Sequence, residues 1–417
     1  MTEDFDIAGL LRPGDRIAWP GGSTEPAALL TMLERQVDRL PSGLSVFLNF
    51  SLIDAIDPVQ LSAAAQIRAL GGAVTNRRFQ KAGNLEIVPA NYSALPALAA
   101  AGGLGIDVVM TQLARDGAGL NQSVMVEYLR EAIPRARTVI AEVNDQAPVI
   151  FGDTAIDPGD IDHIVETSHP LPQLPSRPAG DKERAVAGYV ATLIADGDTL
   201  EVGLGALPDA VLEGLTGKRD LGIHSGTIGD RVMELVSAGI VTNRRKPIDT
   251  GRTITATLLG TDRLYSWGHR NPDVEVRTPA YTHDNSVHAQ LPRFIAINSA
   301  LQVDLTGQIN AETLGANHVG VIGGQSDFVN GALRSPGGRS VIVLESTARG
   351  GAVSRIVPTL ADGIVTTPRA GADVVVTEYG IAELRGRTVA ERAEALSAIA
   401  HPEFRNGLRD AAQRGLI

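Results

Sequence analysis

Two carboxylates and one histidine sit where the surrounding pattern gives them chemical work. Glu201 lies in a short apolar run, Leu200-Glu201-Val202, that enters Gly203-Leu204-Gly205. Strand alternation puts Glu201 on the same side as Gly203, toward which the chain bends. A carboxyl partly buried there is pushed toward neutrality and suits a general base. The structural alternative is a pair with an arginine such as Arg355 or Arg334. His283, in Tyr281-Thr282-His283-Asp284-Asn285, is the second candidate, because a neutral imidazole can donate to an oxyanion or take a proton from water. A surface loop histidine is its alternative. Glu378, in Thr377-Glu378-Tyr379-Gly380, follows a strand-like run and is expected near a sheet's carboxyl edge, in a structural role. His269 and His288 read as surface residues. An isolated Gly-x-Gly such as Gly203 and Gly205 marks first of all a strand-to-helix turn. Asp153, Asp157, Asp160 and Asp162 lack calcium-loop spacing and read as a solvated acidic loop, so no metal site is expected.

Composition bounds what these residues can belong to. The 417-residue chain is 43% hydrophobic and 20% charged, with 45 Gly and 23 Pro, which suits two globular domains. Aromatics make up 4%, so the cores must rest on aliphatic side chains. The net charge of −11 gives no electrostatic reason to follow a nucleic acid. With no cysteine, disulfides and thiolate chemistry are excluded. The start, Met1 to Asp6, is acidic and unlike a signal peptide, and no apolar run has the length of a membrane span. A cytoplasmic protein without membrane or nucleic-acid partners is expected.

The elements that must position the candidates form two similar series. Gly14-Asp15-Arg16-Ile17-Ala18 leads through Pro26 into a helical pattern, and Gly197-Asp198-Thr199-Leu200-Glu201 leads through Pro208 into another. Each reads as a turn, a strand, a glycine-rich bend and a helix with Pro in its first turn. Strands are expected at 45–49, 106–110, 138–143, 294–297, 341–344 and 374–376, and helices at 58–70, 124–132, 182–195 and 390–400. β-branched runs alternating with helices predict an α/β fold with mainly parallel sheets, built by internal duplication. The stretch 169–180, with four prolines in twelve residues, reads as a linker. The expected domains are 1–180 and 181–417. Gln112, Asn91, Tyr92 and Asn144 are candidates to line a first-domain pocket.

Six segments, in order, carry a resemblance to a known family. They are Gly203-Leu204-Gly205-Ala206-Leu207-Pro208-Asp209, Leu221-Gly222-Ile223-His224-Ser225, Asn298-Ser299-Ala300-Leu301-Gln302-Val303-Asp304, Gly323-Gly324-Gln325-Ser326-Asp327-Phe328, Thr377-Glu378-Tyr379-Gly380 and His401-Pro402-Glu403-Phe404-Arg405. With them the chain resembles the acetyl-CoA hydrolase/transferase family, particularly its 4-hydroxybutyrate and butyrate:acetate CoA-transferase branch. The resemblance implies two CoA-transferase-type domains, coenzyme A as the carrier of the acyl substrate in a cleft between them, no permanently bound cofactor, and a homodimer. It also implies a glutamate that attacks the thioester and becomes a glutamyl-CoA thioester. Gly203, Gly205, Gly323, Gly324 and Gln325 match the two loops whose backbone N–H groups approach the acyl carbonyl, and Gly324 matches an oxyanion donor.

The chain departs from that pattern at its chemical centre. Gly226, in His224-Ser225-Gly226-Thr227, occupies the position of the nucleophilic glutamate. His283 falls where the family has an oxyanion-hole asparagine; a one-residue shift would put Asp284 there instead. Glu201 replaces a usual glutamine, whereas His224 matches the family and reads as ordering a strand end. The function expected is an acyl-CoA-processing enzyme that uses water on a thioester or carbon–carbon bond, with Glu201 or His283 as base. The alternatives are a CoA transferase with a relocated carboxylate nucleophile, Glu201 or Glu378, and a non-catalytic acyl-CoA-binding protein.

Overall fold

The computed structural model describes residues 5–73 and 76–415. The acidic start, Met1 to Asp4, therefore lies outside the described residues. The chain forms two compact units, one of residues 1–175, 255–282 and 318–323, the other of 176–254, 283–317 and 324–417.

In the first unit the strands are β1 (Arg16–Ala18), β2 (Leu44–Leu48), β3 (Ala65–Ala69), β4 (Leu85–Ile87), β5 (Val108–Asp116), β6 (Thr138–Asn144) and β7 (His163–Thr167). Their order across the sheet is β7-β6-β5-β1-β2-β3-β4, and every neighbouring pair is parallel. Parallel strands need crossover connections that cover the sheet faces, and the two faces here pack against separate apolar clusters. Val46 and Ile67 belong to one cluster, Phe47 and Val109 to the other.

In the second unit the strands are β8 (Thr199–Val202), β9 (Gly222–Ile228), β10 (Phe294–Ser299), β11 (Arg339–Val343), β12 (Val374–Thr377) and β13 (Gly380–Glu383). They run in the order β13-β12-β11-β10-β8-β9, parallel except for the β12–β13 hairpin. The expected repetition is present: β1 lies between β2 and β5, and β8 between β9 and β10. Each then turns through glycine into a helix, α1 (Ala27–Arg35) and α4 (Ala206–Glu213), with α2 (Pro58–Ala64) and α3 (Asp181–Leu193) between them in sequence. Stretch 169–180 has no regular secondary structure.

Two expected helices are shorter than their apolar patterns suggest. The run 58–70 is helical only over α2, and its second half is strand β3. Ala65, Ile67 and Ala69 alternate inward with period two, and pairing along β2 outweighs continuation of the helix. In 124–132 only Leu129–Ala132 is helical, because Val126 N–H is given to Ala256 O and Met125 bridges to Thr257. Both segments answer to distant strands, which local periodicity does not report. Among the described residues no helix is long and apolar enough to cross a membrane.

Ile67 is fully buried within β3. Ile67→Ala is expected to cost about 2–5 kcal/mol, read as a lower urea midpoint with an unchanged m-value.

Candidate active site

Gly226, His283 and Gly324, distant in sequence, meet in the second unit. Gly226 lies in β9, a strand held to β8 by pairing of Thr199 with Gly222 and Leu200 with Ile223. Ser225 Oγ reinforces the contact, accepting Val202 N–H at 3.3 Å and lying 3.1 Å from Val202 O. His283 precedes a single helical turn, α6 (Asn285–His288), whose first N–H groups are capped by Asp284 through Ser286 N–H at 2.6 Å. Asp284 is thereby engaged in capping, and the imidazole of His283 is the group turned inward, 3% exposed. Gly324 is the N-cap of α7 (Gln325–Arg334), reached after α5 (Asp230–Ser237) and α6 in chain order.

The fit among these three is close. A Cβ built on Gly226 would lie 2.9 Å from His283 Nε2 and 3.1 Å from Phe328 Cε2. A Cβ on Gly324 would lie 2.6 Å from the same Nε2. The ring rests on Phe328, centroids 4.6 Å apart. Phe328 in turn meets His288 at 5.2 Å, and His288 stacks on Phe294 at 4.8 Å. His288 is fully buried, not a surface residue as its sequence context suggested. Gly331 explains how: a Cβ in that turn of α7 would collide with His288 Nδ1. His224, also fully buried, stands edge-on to His288 at 5.4 Å. His269 is exposed, and its Nδ1 accepts Val149 N–H at 3.1 Å. Burial, with a smaller contribution from His288, lowers the His283 pKa to about 3, so its imidazole is neutral at pH 7.

Glu201 occupies the same face of the sheet. It pairs in register with Ala296 of β10, and continuation of the β8–β9 register sets it beside His224. Its carboxyl accepts from Asn298 Nδ2 at 2.7 Å and from the Ile297 backbone N–H. The side chain thus has an amide partner in place of the arginine that the sequence offered as an alternative. Burial dominates these bonds and raises its pKa to about 8. Gly203 and Gly205 follow on the next residues. Gly205 has φ +116°, which an L side chain rarely adopts, and it opens α4. Gly203 has neither that reason nor a packing one, since a Cβ there meets nothing within 4 Å.

The other candidates go elsewhere. Gly323, with φ +54°, belongs to the first unit, where its carbonyl accepts Tyr92 N–H at 3.0 Å. Gln325 is buried and donates to Thr367 Oγ1 at 3.2 Å. Glu378 is bound by Ser346 through its N–H at 2.8 Å and hydroxyl at 2.7 Å, with Lys182 Nζ at 3.8 Å. Thr377 Oγ1 donates to Ile399 O, and Arg405 lies 5.4 Å from the Tyr379 ring, so two of the recognisable segments lock together. Asp153, Asp157 and Asp162 are used in an Arg277 pair, a cap and a bond from Val139 N–H.

Sequence reading missed a buried acidic group in the first unit. Glu127 accepts from Gly21 N–H at 3.0 Å, Asn49 Nδ2 at 2.6 Å and Tyr92 Oη at 2.9 Å. Glu25, bonded to Leu52 N–H, is raised to about 8 by burial. Of the proposed pocket residues there, Tyr92, Gln112 and Asn144 are buried in hydrogen bonds, while Asn91 is exposed. No periodicity marks these groups, because their partners come from separate strand ends.

Comparison with known proteins agrees with the fold. Residues 1–175 match the acetyl-CoA hydrolase/transferase N-terminal domain and residues 260–412 the acetyl-CoA hydrolase/transferase C-terminal domain. The chain is 44% identical to the 4-hydroxybutyrate coenzyme A transferase of Clostridium kluyveri over 329 residues, covering 78% of this chain and 77% of that one. RipA from Yersinia pestis is similar in structure, with 33% identity, a TM-score of 0.91, and coverage of 98% of this chain and 96% of RipA. A 4-hydroxybutyrate CoA-transferase from Porphyromonas gingivalis has 32% identity and a TM-score of 0.83, covering 99% and 97% of the two chains.

A carboxyl whose folded pKa is raised to about 8 from 4.5 favours the folded state in its protonated form. Its contribution is complete below about pH 4.5 and is lost as pH rises toward 8. Glu201→Gln keeps an oxygen for Asn298 and cannot ionise. Its stability relative to the unsubstituted protein is expected to improve steadily from pH 5 to pH 8, measured by urea unfolding at intervals across that range.

Proposed function

The chain belongs to the acetyl-CoA hydrolase/transferase family, and on that premise we propose that it hydrolyses acyl-CoA thioesters with water. The observation that carries this reading is the state of the three positions from which a carboxylate nucleophile would have to come. Position 226 is glycine, with the His283 ring against it. Glu201 lies in β8, before the Gly203 turn, with its carboxyl held by Asn298 Nδ2 at 2.7 Å. Glu378 is held by Ser346 through both carboxyl oxygens. A covalent step tolerates little displacement of the attacking atom, so a relocated carboxylate is disfavoured.

Hydrolysis needs three things: donors for an oxyanion, a water and a base. Gly324 N–H and the neutral His283 imidazole would receive the carbonyl oxygen, and the open side of Gly203 would admit the thioester. A neutral imidazole suits a donor, because it stabilises negative charge without first gaining a proton. Its depressed pKa argues against His283 as the base. Glu201, one pleat from Gly203, fits that role. Water adds to the carbonyl as its proton passes to the Glu201 carboxylate, the C–S bond breaks, and the same carboxyl returns the proton to the CoA thiolate. The products are a carboxylic acid and free CoA.

The base form of Glu201 increases through about pH 8. CoA release from acyl-CoA is therefore expected to rise across that pH and to lose this limb in Glu201→Gln. Assays with acyl-CoA and acetate should show water-dependent release without acetyl-CoA formation. Exchange that survives in Glu201→Gln would favour a transferase, and binding without either reaction a non-catalytic protein. The family resemblance also leads to the expectation of a homodimer, checked by the mass of the protein in solution.

A further inference from the structure

Resting on the hydrolytic reading above, we propose that residues 226 and 283 act as one steric unit: the His283 imidazole takes the room that any side chain at 226 would need, and this exclusion directs the site to water.

Three observations support it. First, Gly226 lies inside β9 and is not among the glycines with positive φ, so its backbone does not demand glycine. What a Cβ would meet first is the imidazole, at 2.9 Å from Nε2, closer than real Cβ contacts, and then Cε1 and Phe328 Cε2, each at a tight 3.1 Å. Second, Nε2 lies 2.6 Å from a Cβ built on Gly324, so the ring already fills the side-chain space of that glycine as well. Third, the face of the ring is backed by Phe328, which is 2% exposed and itself packed against His288. A close-packed interior resists moving such a ring, and displacing it would disturb α7 through Gly331 and His288. The imidazole and a carboxylate side chain at 226 are therefore alternatives for one volume. Replacing the glycine alone leaves that volume occupied; replacing the histidine with a smaller polar residue opens it.

The test uses Gly226→Glu, His283→Asn and the double variant. In the double variant the introduced carboxylate can attack the thioester carbonyl, expelling CoA thiolate and leaving a mixed anhydride. The thiolate then attacks the side-chain carbonyl, releases the acyl carboxylate and leaves a side-chain thioester of CoA. Acetate reverses the sequence to give acetyl-CoA. We expect acetate exchange in the double variant at least tenfold above either single variant. A CoA-sized mass increase on the peptide spanning 226 should accompany it. Exchange by Gly226→Glu alone equal to that of the double variant would overturn the proposal, as would a folded, acyl-CoA-binding double variant with no exchange and no adduct. Should Gly226→Glu fail to fold, Gly226→Ala decides: its methyl group should depress CoA release severalfold beside His283 and distinctly less in the His283→Asn background, where only the Phe328 contact remains. Equal effects in both backgrounds would refute the steric link. If the unsubstituted protein releases no CoA while the double variant exchanges, the hydrolytic reading fails and the steric unit stands.

Discussion

Parallel strands cannot be joined by hairpins, and the crossovers that join them bury both faces of a sheet. This constraint governs each unit of the protein. Any polar side chain within such a strand must find its partner inside. Glu201 does so through Asn298 of the neighbouring strand, Ser225 through the backbone of β8, and Thr377 through the carbonyl of Ile399. The strands are free to turn only at their ends, and there glycine carries the chain into helices at Gly205 and Gly324. Glu201 and Gly226 are consequently held by the sheet, while His283 and Gly324 stand at the starts of helices.

Burial also sets the electrostatics. The same desolvation raises a carboxyl and lowers an imidazole, since each resists the form that bears charge. Glu201 and His283 are thus both neutral at pH 7. A neutral pair costs little to keep inside the protein, whereas an isolated ion would require a partner or water. On the hydrolytic reading we propose, negative charge developing on a substrate oxygen would meet a donor already in place. Glu25, in the corresponding glycine bend of the first unit, shows the same upward shift from the same cause, burial.

Much of this was legible in one dimension. The strands at β2, β6, β10, β11 and β12 follow from aliphatic runs, and the repeated strand–glycine–helix pattern anticipated the matching positions of β1 and β8. The segment 58–70 carries a helical apolar pattern throughout, and its first part is a helix capped by Asp57. Its conversion into β3 depends on a strand twenty residues earlier, which no local window contains. His288 was misplaced for the same reason, since the space it fills is made by Gly331 on another element.

The sequence by itself determined the α/β architecture, the family, and that glycine stands at 226 with histidine at 283. Periodic burial reads out the architecture, ordered motifs carry the family, and the two residues are plain in the sequence itself. Tertiary structure alone decided that residues 226 and 283 meet, that the imidazole fills the space above Gly226, and that Glu201 pairs with an amide. Excluded volume and desolvation act between atoms brought together from distant parts of the chain, so neither has a signature in the order of residues.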